Sequence, residues 1–186
     1  MGRWEPNAQL RLMQAALELF DERGFDQTTA GDIAERAGVT ERTFFRHFPD
    51  KREVLFDSSR TMERTAHEAT LAAPAELAPL DAALVGVTAG AAMLEDRREY
   101  AARRARIIAG HPSLRERELL KLAALAATIA QALAERGVAE PVTTLAAESA
   151  VTAFRVGFER WTAAGPAGRL DDRITEAAAA LRELAG

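Results

Sequence analysis

The stretch from Thr29 to Lys51, T-A-G-D-I-A-E-R-A-G-V-T-E-R-T-F-F-R-H-F-P-D-K, constrains the fold of this chain more than any other segment. The hydroxyls of Thr29 and Thr40 can cap helix starts, and Gly38 stands where a helix ends and the backbone needs a positive φ. Pro49 ends the second helix, because the residue before a proline is pushed out of the α region. The stretch therefore predicts two short helices joined by a tight turn, typical of a helix-turn-helix DNA reader.

The second predicted helix has one apolar face and several polar ones. Phe44 and Phe48 lie four residues apart and are predicted to pack on the first helix. The other faces carry hydroxyls, guanidinium groups, an imidazole and one unburied ring, on Thr40, Arg42, Thr43, Phe45, Arg46 and His47. These groups suit phosphate oxygens, base edges and the thymine methyl group. Glu41, at the tip, either accepts a hydrogen bond from a cytosine amine or is simply solvated.

Charge is distributed unevenly along the chain. Residues 36–52 contain five basic and two acidic side chains, a net charge of +3, whereas residues 1–35 contain three basic and seven acidic ones, a net charge of −4. The whole chain also has a net charge of −4, which argues against indiscriminate binding to nucleic acid. A positive segment on an acidic chain is what local, counterion-releasing contact with DNA requires.

The longer string T-T-A-G-D-I-A-E-R-A-G-V-T-E-R-T-F-F-R-H-F-P-D-K-R-E-V-L resembles the N-terminal domain of the TetR family of bacterial transcriptional repressors. The resemblance covers roughly the first 56 residues. It implies that Phe45 and its polar neighbours, Thr40, Arg42, Thr43 and Arg46, face the major groove or its walls. It also implies that His47 and Lys51 hold phosphates and that Thr29 lies near the DNA backbone. Phe45 stands where the family often has tyrosine, so one hydroxyl contact is absent.

Periodicity and punctuation predict an all-α fold of about nine helices, with a three-helix DNA-binding domain at 1–51 and a helical ligand-binding and dimerisation domain at 52–186. A helix is expected from Asn7 to Arg23, with Leu10 in its core stripe. Another is expected to begin near Lys51 and to serve as a lever between the domains. After a linker, the predicted helices are Leu80–Leu94, Arg97–Ala109, Leu114–Arg136, Thr143–Ala164 and Asp171–Leu184. Gly86 and Gly90 would let a helix or a ligand approach the first of these closely.

The last two predicted helices carry sustained apolar stripes. Their larger members are Val151, Phe154, Phe158, Trp161, Ile174 and Leu181. Such stripes either pair with a second copy as a four-helix bundle or pack on the Leu80–Leu94 helix. The family resemblance favours a homodimer.

The resemblance further implies a ligand cavity in the C-terminal domain. Candidate walls are Met62, Met93, Tyr100, Arg104, Ile107, Phe154 and Phe158, which are mostly apolar. A lining of this kind suits a small, largely apolar effector with one polar or anionic group. Ordinary core packing is the competing interpretation of each residue.

Enzymatic and metal-binding functions find no support in the sequence. The chain has no cysteine, consistent with a cytoplasmic protein, and its three histidines are scattered without metal-ligand spacing. No catalytic or cofactor-binding constellation and no membrane-length apolar run occurs. The paired acids Glu95-Asp96 and Asp171-Asp172 are interpreted as helix-capping residues. The competing function is a helical lipid or small-molecule carrier with a vestigial DNA reader, which should have lost the polar outer face.

Overall fold

The computed structural model describes residues 8–163 and 168–185. Within these ranges the chain forms nine α-helices and no strand, which confirms the all-α prediction. The helices are α1 (Ala8–Arg23), α2 (Ala30–Arg36), α3 (Glu41–His47), α4 (Ser59–Ala72), α5 (Pro79–Ala91), α6 (Arg98–Ala109), α7 (Pro112–Glu135), α8 (Val142–Ala163) and α9 (Leu170–Ala185). Short 3₁₀ segments occur at Glu53–Leu55 and Ala92–Arg97. None of the described helices is long and apolar enough to cross a membrane.

The chain divides into two compact units. The first comprises residues 1–57 and 103–116, and the second comprises 58–102 and 117–186. The second half of α6 and the turn after it thus belong with the N-terminal helices, although the boundary placed at 51/52 from the sequence assigns them to the C-terminal domain.

The first unit is a three-helix bundle with an aromatic centre. Phe44 and Phe48 are buried as predicted, with ring centroids 5.5 Å apart, and Ile33 of α2 is fully buried beside them. Leu10 is 45% exposed, so it does not belong to the α1 core stripe that the sequence predicts. The other members of that predicted stripe, Met13, Leu17 and Phe20, are buried, and Leu12 is buried with them.

The prediction of a long helix that begins near Lys51 is wrong. Residues 51–57 form turns and a 3₁₀ segment, and α4 begins only at Ser59. Asp50 Oδ1 accepts hydrogen bonds from the backbone N–H groups of Arg52 at 2.7 Å and Glu53 at 3.3 Å, the pattern of a helix N-cap, but the helical segment that follows is only the short 3₁₀ turn. The buried side chains of three consecutive residues, Val54, Leu55 and Phe56, follow at once. The tight turn brings all three into the core, and no continuous lever helix runs from Lys51 to Met62.

In the second unit, α4 and α5 pack at very short distance. A Cβ placed on Gly86 would lie 1.9 Å from Thr70 Oγ1 and 2.7 Å from the Ala66 carbonyl oxygen. A Cβ on Gly90 would lie 2.9 Å from the Met62 carbonyl oxygen. The prediction that these two glycines allow a close approach is therefore confirmed, and the approaching element is helix α4. The predicted Leu80–Leu94 helix is shorter than expected, because its last turn becomes the 3₁₀ segment.

Two charged side chains hold helix ends of the second unit. Glu95 Oε1 accepts from the backbone N–H of Leu170 at 2.7 Å and of Asp171 at 3.2 Å, so it caps α9 from a distant segment, as its interpretation as a capping acid predicts. Arg136, just after α7, donates to the carbonyl oxygens that end α4, those of Thr70, Leu71, Ala73 and Pro74. The sequence indicates that Glu95 is a capping acid but not that it caps α9, and it does not indicate the Arg136 contacts, because the partners lie more than 60 residues apart.

Candidate nucleic-acid interface

The start of α2 is fixed by a capping box. The Thr29 hydroxyl accepts from the backbone N–H of Asp32 at 3.1 Å, and the Asp32 carboxylate accepts from the Thr29 N–H at 2.8 Å and from its hydroxyl at 2.7 Å. These bonds lower the pKa of Asp32 to about 2, mainly through the Thr29 hydroxyl. Gly38, with φ of +68°, then reverses the chain toward α3, as the sequence predicts.

Helix α3 presents an outer face that takes no part in the core. Glu41, Arg42, Phe45 and Arg46 are all exposed, and Phe45 keeps 51% of its surface accessible. Its ring meets the buried Phe44 edge-on, with centroids 5.4 Å apart. Four adjacent exposed side chains on a seven-residue helix thus form a surface of two guanidinium groups, one carboxylate and one ring, which we call the reader face.

The arginines of the reader face differ from those around them. Among the described residues, neither Arg42 nor Arg46 forms an ion pair. Three other arginines of this unit are neutralised: Arg23 by Asp32 at 2.8 Å, Arg36 by Glu22 at 2.8 Å, and Arg52 by Asp50 at 2.9 Å. The acidic side chains of residues 1–35 are therefore partly neutralised by internal pairs, whereas the two arginines of the reader face form no ion pair among the described residues. Guanidinium groups of this kind can bind phosphates or base acceptors.

The remaining residues predicted to contact DNA have partners inside the unit or are partly enclosed. The hydroxyls of Thr40 and Thr43 lie 3.0 Å apart, and Thr40 Oγ1 accepts from the Thr43 N–H at 3.2 Å, which caps α3 as predicted. His47 is half-buried, and its Nε2 atom is enclosed without a partner among the described residues. Any phosphate contact by this ring would therefore use Nδ1.

Lys51 is engaged within the chain. Its Nζ donates to the carbonyl oxygens of Phe25 at 2.7 Å and Thr28 at 2.8 Å and lies 4.2 Å from the centre of the Phe25 ring. Desolvation lowers the pKa of Lys51, although the charge of Asp26 acts in the opposite direction. The ammonium group therefore ties the loop after α1 to the turn after α3, and its third N–H group has no hydrogen-bond partner among the described residues.

Replacing Lys51 by methionine is expected to have two effects. Loss of the bonds to Phe25 and Thr28 leaves two carbonyls unpaired and should lower the free energy of unfolding by about 1–3 kcal/mol. Loss of a phosphate contact should flatten the salt dependence of DNA binding by about one unit. Thermal melting and binding isotherms at several salt concentrations separate these effects. A lower melting temperature with an unchanged salt slope would give Lys51 a structural role alone, and Lys51→Arg is the charge-retaining control.

The capping box makes a second prediction. Thr29→Ala should cost about 1 kcal/mol of stability at neutral pH, because the N-cap hydroxyl is lost. Since the pKa of Asp32 falls from its ordinary 3.8 to about 2 on folding, the carboxylate stabilises the fold above pH 4 and loses this effect as the pH falls toward 2. The stability difference between wild type and variant should therefore shrink over that range. Urea unfolding at several pH values measures it, and Thr29→Ser, which keeps the hydroxyl, should behave as wild type.

The residues predicted to line a ligand cavity are not gathered into one unit. Arg104 and Ile107 belong to the first unit, while the other five belong to the second. Arg104 donates to the Leu55 carbonyl oxygen and lies 4.9 Å above the Phe56 ring, so it is already engaged. Met93 is 37% exposed on the 3₁₀ segment. Tyr100 is half-buried, and Met62, Phe154 and Phe158 pack with the core of the second unit.

The residues predicted to form the dimer seam lie mainly inside one protomer. Trp161 and Ile174 are each 1% exposed, and Val151 and Phe154 are also buried in the core between α5, α8 and α9. Phe158 is partly buried against the same core, and Leu181 is half-buried. These stripes therefore follow the alternative in which each helix packs on α5, and they leave little apolar surface for a second copy.

One feature of the first unit has no counterpart among the residues predicted from the sequence. Arg103 of α6 forms an ion pair with Asp21 of α1 at 2.7 Å, and the His111 ring lies 5.3 Å from that of Phe25. With the bond from Arg104 to Leu55, these contacts attach the second half of α6 to the helix-turn-helix. No local pattern indicates them, because each joins residues at least 49 positions apart.

The described part of the chain contains no group of three or more histidine, cysteine, aspartate or glutamate side chains that could hold a metal ion.

Two family models match the sequence. Residues 12–57 match the model of bacterial regulatory proteins of the tetR family, and residues 77–185 match the MftR C-terminal domain.

Individual proteins agree with these models. The HTH-type transcriptional regulator TcmR of Streptomyces glaucescens is 40% identical over 72 residues, which is 39% of this chain and 32% of TcmR. The fold resembles that of Thermus thermophilus FadR, a TetR-family repressor solved in complex with lauroyl-CoA, with a TM-score of 0.59 and 24% identity over 94% of this chain and 93% of that one. It also resembles the fatty acid degradation regulator FadR of Bacillus halodurans, with a TM-score of 0.62 and 16% identity over 97% and 96% of the two chains.

Proposed function

Because this chain belongs to the TetR family of bacterial transcriptional regulators, we propose that it is a repressor that binds an inverted-repeat operator as a homodimer and leaves it when a small molecule binds the second unit. The observation that carries this proposal is the reader face. Arg42 and Arg46 are exposed without an ion-pair partner among the described residues, on a helix held rigidly by Phe44 and Phe48. A carrier with a vestigial reader would have no reason to keep such a surface.

The homodimer follows from the size of the reader face. One seven-residue helix contacts one half-site, and a second copy supplies the other half-site as an intramolecular event, which raises the overall affinity. We propose that the copies meet through the outer faces of α8 and α9. On α8 an uncharged stripe recurs at spacings of four, three and four, and its members are Leu145, Ser149, Thr152 and Val156. Leu145 is 62% exposed, which a partner would cover.

A charge in this stripe tests the proposed interface. Thr152 is exposed, so Thr152→Glu should leave the protomer folded but place like charges face to face in the dimer. We expect light scattering to find monomers at micromolar concentration, with an unchanged helical circular dichroism spectrum and weak operator binding. Ala127→Glu, at an exposed position of α7, is a control that adds the same charge away from the stripe. A Thr152→Glu dimer as tight as wild type would place the interface on another surface.

The proposed effector is a small, largely apolar molecule with an anionic group. Support comes from the alanine-rich core of the second unit and from the lauroyl-CoA complex of the Thermus thermophilus protein. We propose that the signal reaches the reader through α6, because Arg103 and Arg104 of this helix bond to Asp21 and Leu55. A hundredfold loss of DNA affinity needs about 2.7 kcal/mol of differential binding, which lies within usual coupling energies.

The deciding experiment selects bound sequences from a random DNA pool with the purified protein. An enriched inverted repeat, with half-site centres about 10 base pairs apart or a multiple of that, is the expected result. Lipophilic acids and acyl thioesters are then screened for a raised melting temperature and for release of this operator. Absence of any enriched sequence would contradict the DNA-binding proposal, whereas stabilising compounds that leave operator affinity intact would contradict the effector mechanism alone.

A further inference from the structure

The reader face contains a carboxylate where a DNA-binding surface would ordinarily avoid one. Glu41 is exposed in the first turn of α3, next to Arg42, and forms no ion pair with any residue that the structure describes. Duplex DNA carries a negative charge about every 1.7 Å along its axis, so a carboxylate brought to its surface is repelled and loses water. A donor offered to the carboxylate in the bound state would offset this cost.

The position of Glu41 is defined by the fold. Its Cδ and Oε2 atoms lie 3.8 Å from where a Cβ of Gly31 would be, so the carboxylate rests over the first turn of α2. Thr29 Oγ1 lies 3.6 Å from the same point, but this hydroxyl already bonds to Asp32. These are ordinary contact distances, so the carboxylate packs against α2 at the tip of the reader face, and it has no hydrogen-bond partner among the described residues.

The chemistry of the major groove limits what this carboxylate can recognise. A carboxylate only accepts hydrogen bonds, and the donors on base edges in this groove are the N4 amine of cytosine and the N6 amine of adenine. The adenine amine lies between two acceptors, its own N7 and the O4 of the paired thymine, whereas the cytosine amine has an acceptor, the O6 of the paired guanine, on one side only and a C–H group on the other. Guanine and thymine present acceptors at this edge and are disfavoured.

We propose that Glu41 is a specificity-determining residue that selects a cytosine in each half-site and excludes the other bases at that position. The inference rests on the proposed DNA-binding function and adds a base preference to it. Arg42 and Arg46 provide the attraction to DNA. Glu41 lowers the affinity for sequences without a cytosine at its position, because only cytosine compensates the carboxylate charge, and this difference in affinity gives sequence specificity. A different explanation is that the carboxylate merely favours the start of α3 through the helix dipole.

The two explanations predict different results for Glu41→Gln. If Glu41 reads cytosine, the variant should lose about tenfold of discrimination at one position per half-site, because a mismatch at a read base costs about that much. Its affinity for non-operator DNA should rise, since a charge repelled by the phosphates has gone. If the carboxylate only stabilises α3, the variant should melt slightly earlier and keep the wild-type base preference.

The experiment runs the random-pool selection in parallel with wild type, Glu41→Gln, Glu41→Ala and Glu35→Gln. Glu35 is an exposed acid on α2, so its variant removes the same charge without touching the reader face. Binding is then measured on the selected operator and on operators with each base pair at the affected position. We expect the wild type to prefer cytosine at that position, both Glu41 variants to lose this preference, and Glu35→Gln to retain it.

The outcomes separate the inference from the function on which it rests. A Glu41→Gln variant that enriches the wild-type sequence at every position overturns the inference while the DNA-binding function stands. A preference at that position for adenine, guanine or thymine in the wild type also overturns it. If the wild-type protein enriches no sequence, both the function and the inference fail.

Discussion

Replacing both Arg42 and Arg46 by alanine is expected to weaken operator binding by a hundredfold or more while leaving the melting temperature unchanged. Each arginine that touches a base edge contributes about 1–3 kcal/mol, and two such losses together reach this range. Stability should not change, because both side chains are exposed and neither has an ion-pair partner among the residues described. Fluorescence anisotropy with the selected operator measures the first effect and differential scanning fluorimetry the second.

The matched control for this double variant is Arg64→Ala with Arg155→Ala. These arginines are exposed in the second unit and pair with Glu68 and Glu159 one turn along their helices. The control removes the same number of positive charges, so a general effect of net charge would weaken DNA binding equally in both proteins. An Arg42→Ala, Arg46→Ala variant that binds no worse than this control would show that the reader face does not contact DNA.

Gly86→Val is expected to cost the second unit about 3 kcal/mol of stability, a lowering of the melting temperature by about 6–12 °C. The added Cβ would meet Thr70 Oγ1 at 1.9 Å and the Ala66 carbonyl oxygen at 2.7 Å. The threonine side chain can rotate away, but the carbonyl belongs to the backbone of α4, so the two helices must separate. The higher helix propensity of valine relative to glycine stabilises the variant by less than about 1 kcal/mol, so the destabilising clash dominates.

Gly110→Ala is the control for this variant, because a Cβ there would meet nothing closer than the Ile107 carbonyl oxygen at 3.5 Å. Urea unfolding followed by circular dichroism should show a large loss for Gly86→Val and little change for Gly110→Ala. Equal stabilities of the two variants would mean that α4 and α5 are not held as closely as described.

Local patterns were sufficient to predict the reader. Capping by Thr29 and Thr40, the positive φ at Gly38 and the burial of Phe44 and Phe48 are all determined within a few residues, and all are confirmed. A helix-turn-helix can be predicted from sequence for this reason, since its geometry depends on caps, turns and spacing rather than on distant partners.

Long-range structure could not be predicted in the same way. The stripe containing Trp161 reads equally well as a dimer seam and as core, and only the position of α5 decides that it is buried in one protomer. The grouping of Arg103 and Arg104 with α1 likewise depends on contacts across about 50 to 80 residues. Periodicity in the sequence indicates that one face of a helix is apolar, but it does not indicate which element packs against that face.

The division of α3 into a packed face and a reader face has a consequence for protein engineering and for divergence among relatives. Phe44 and Phe48 carry the stability of this helix, whereas Glu41, Arg42 and Arg46 contribute few contacts to the fold. Substitutions at the second set should therefore retarget the protein to new sequences without a stabilising change elsewhere. On the proposed function, a few point mutations at these positions should change the binding site of a lineage that carries this scaffold, and a laboratory library restricted to them should yield mostly folded members.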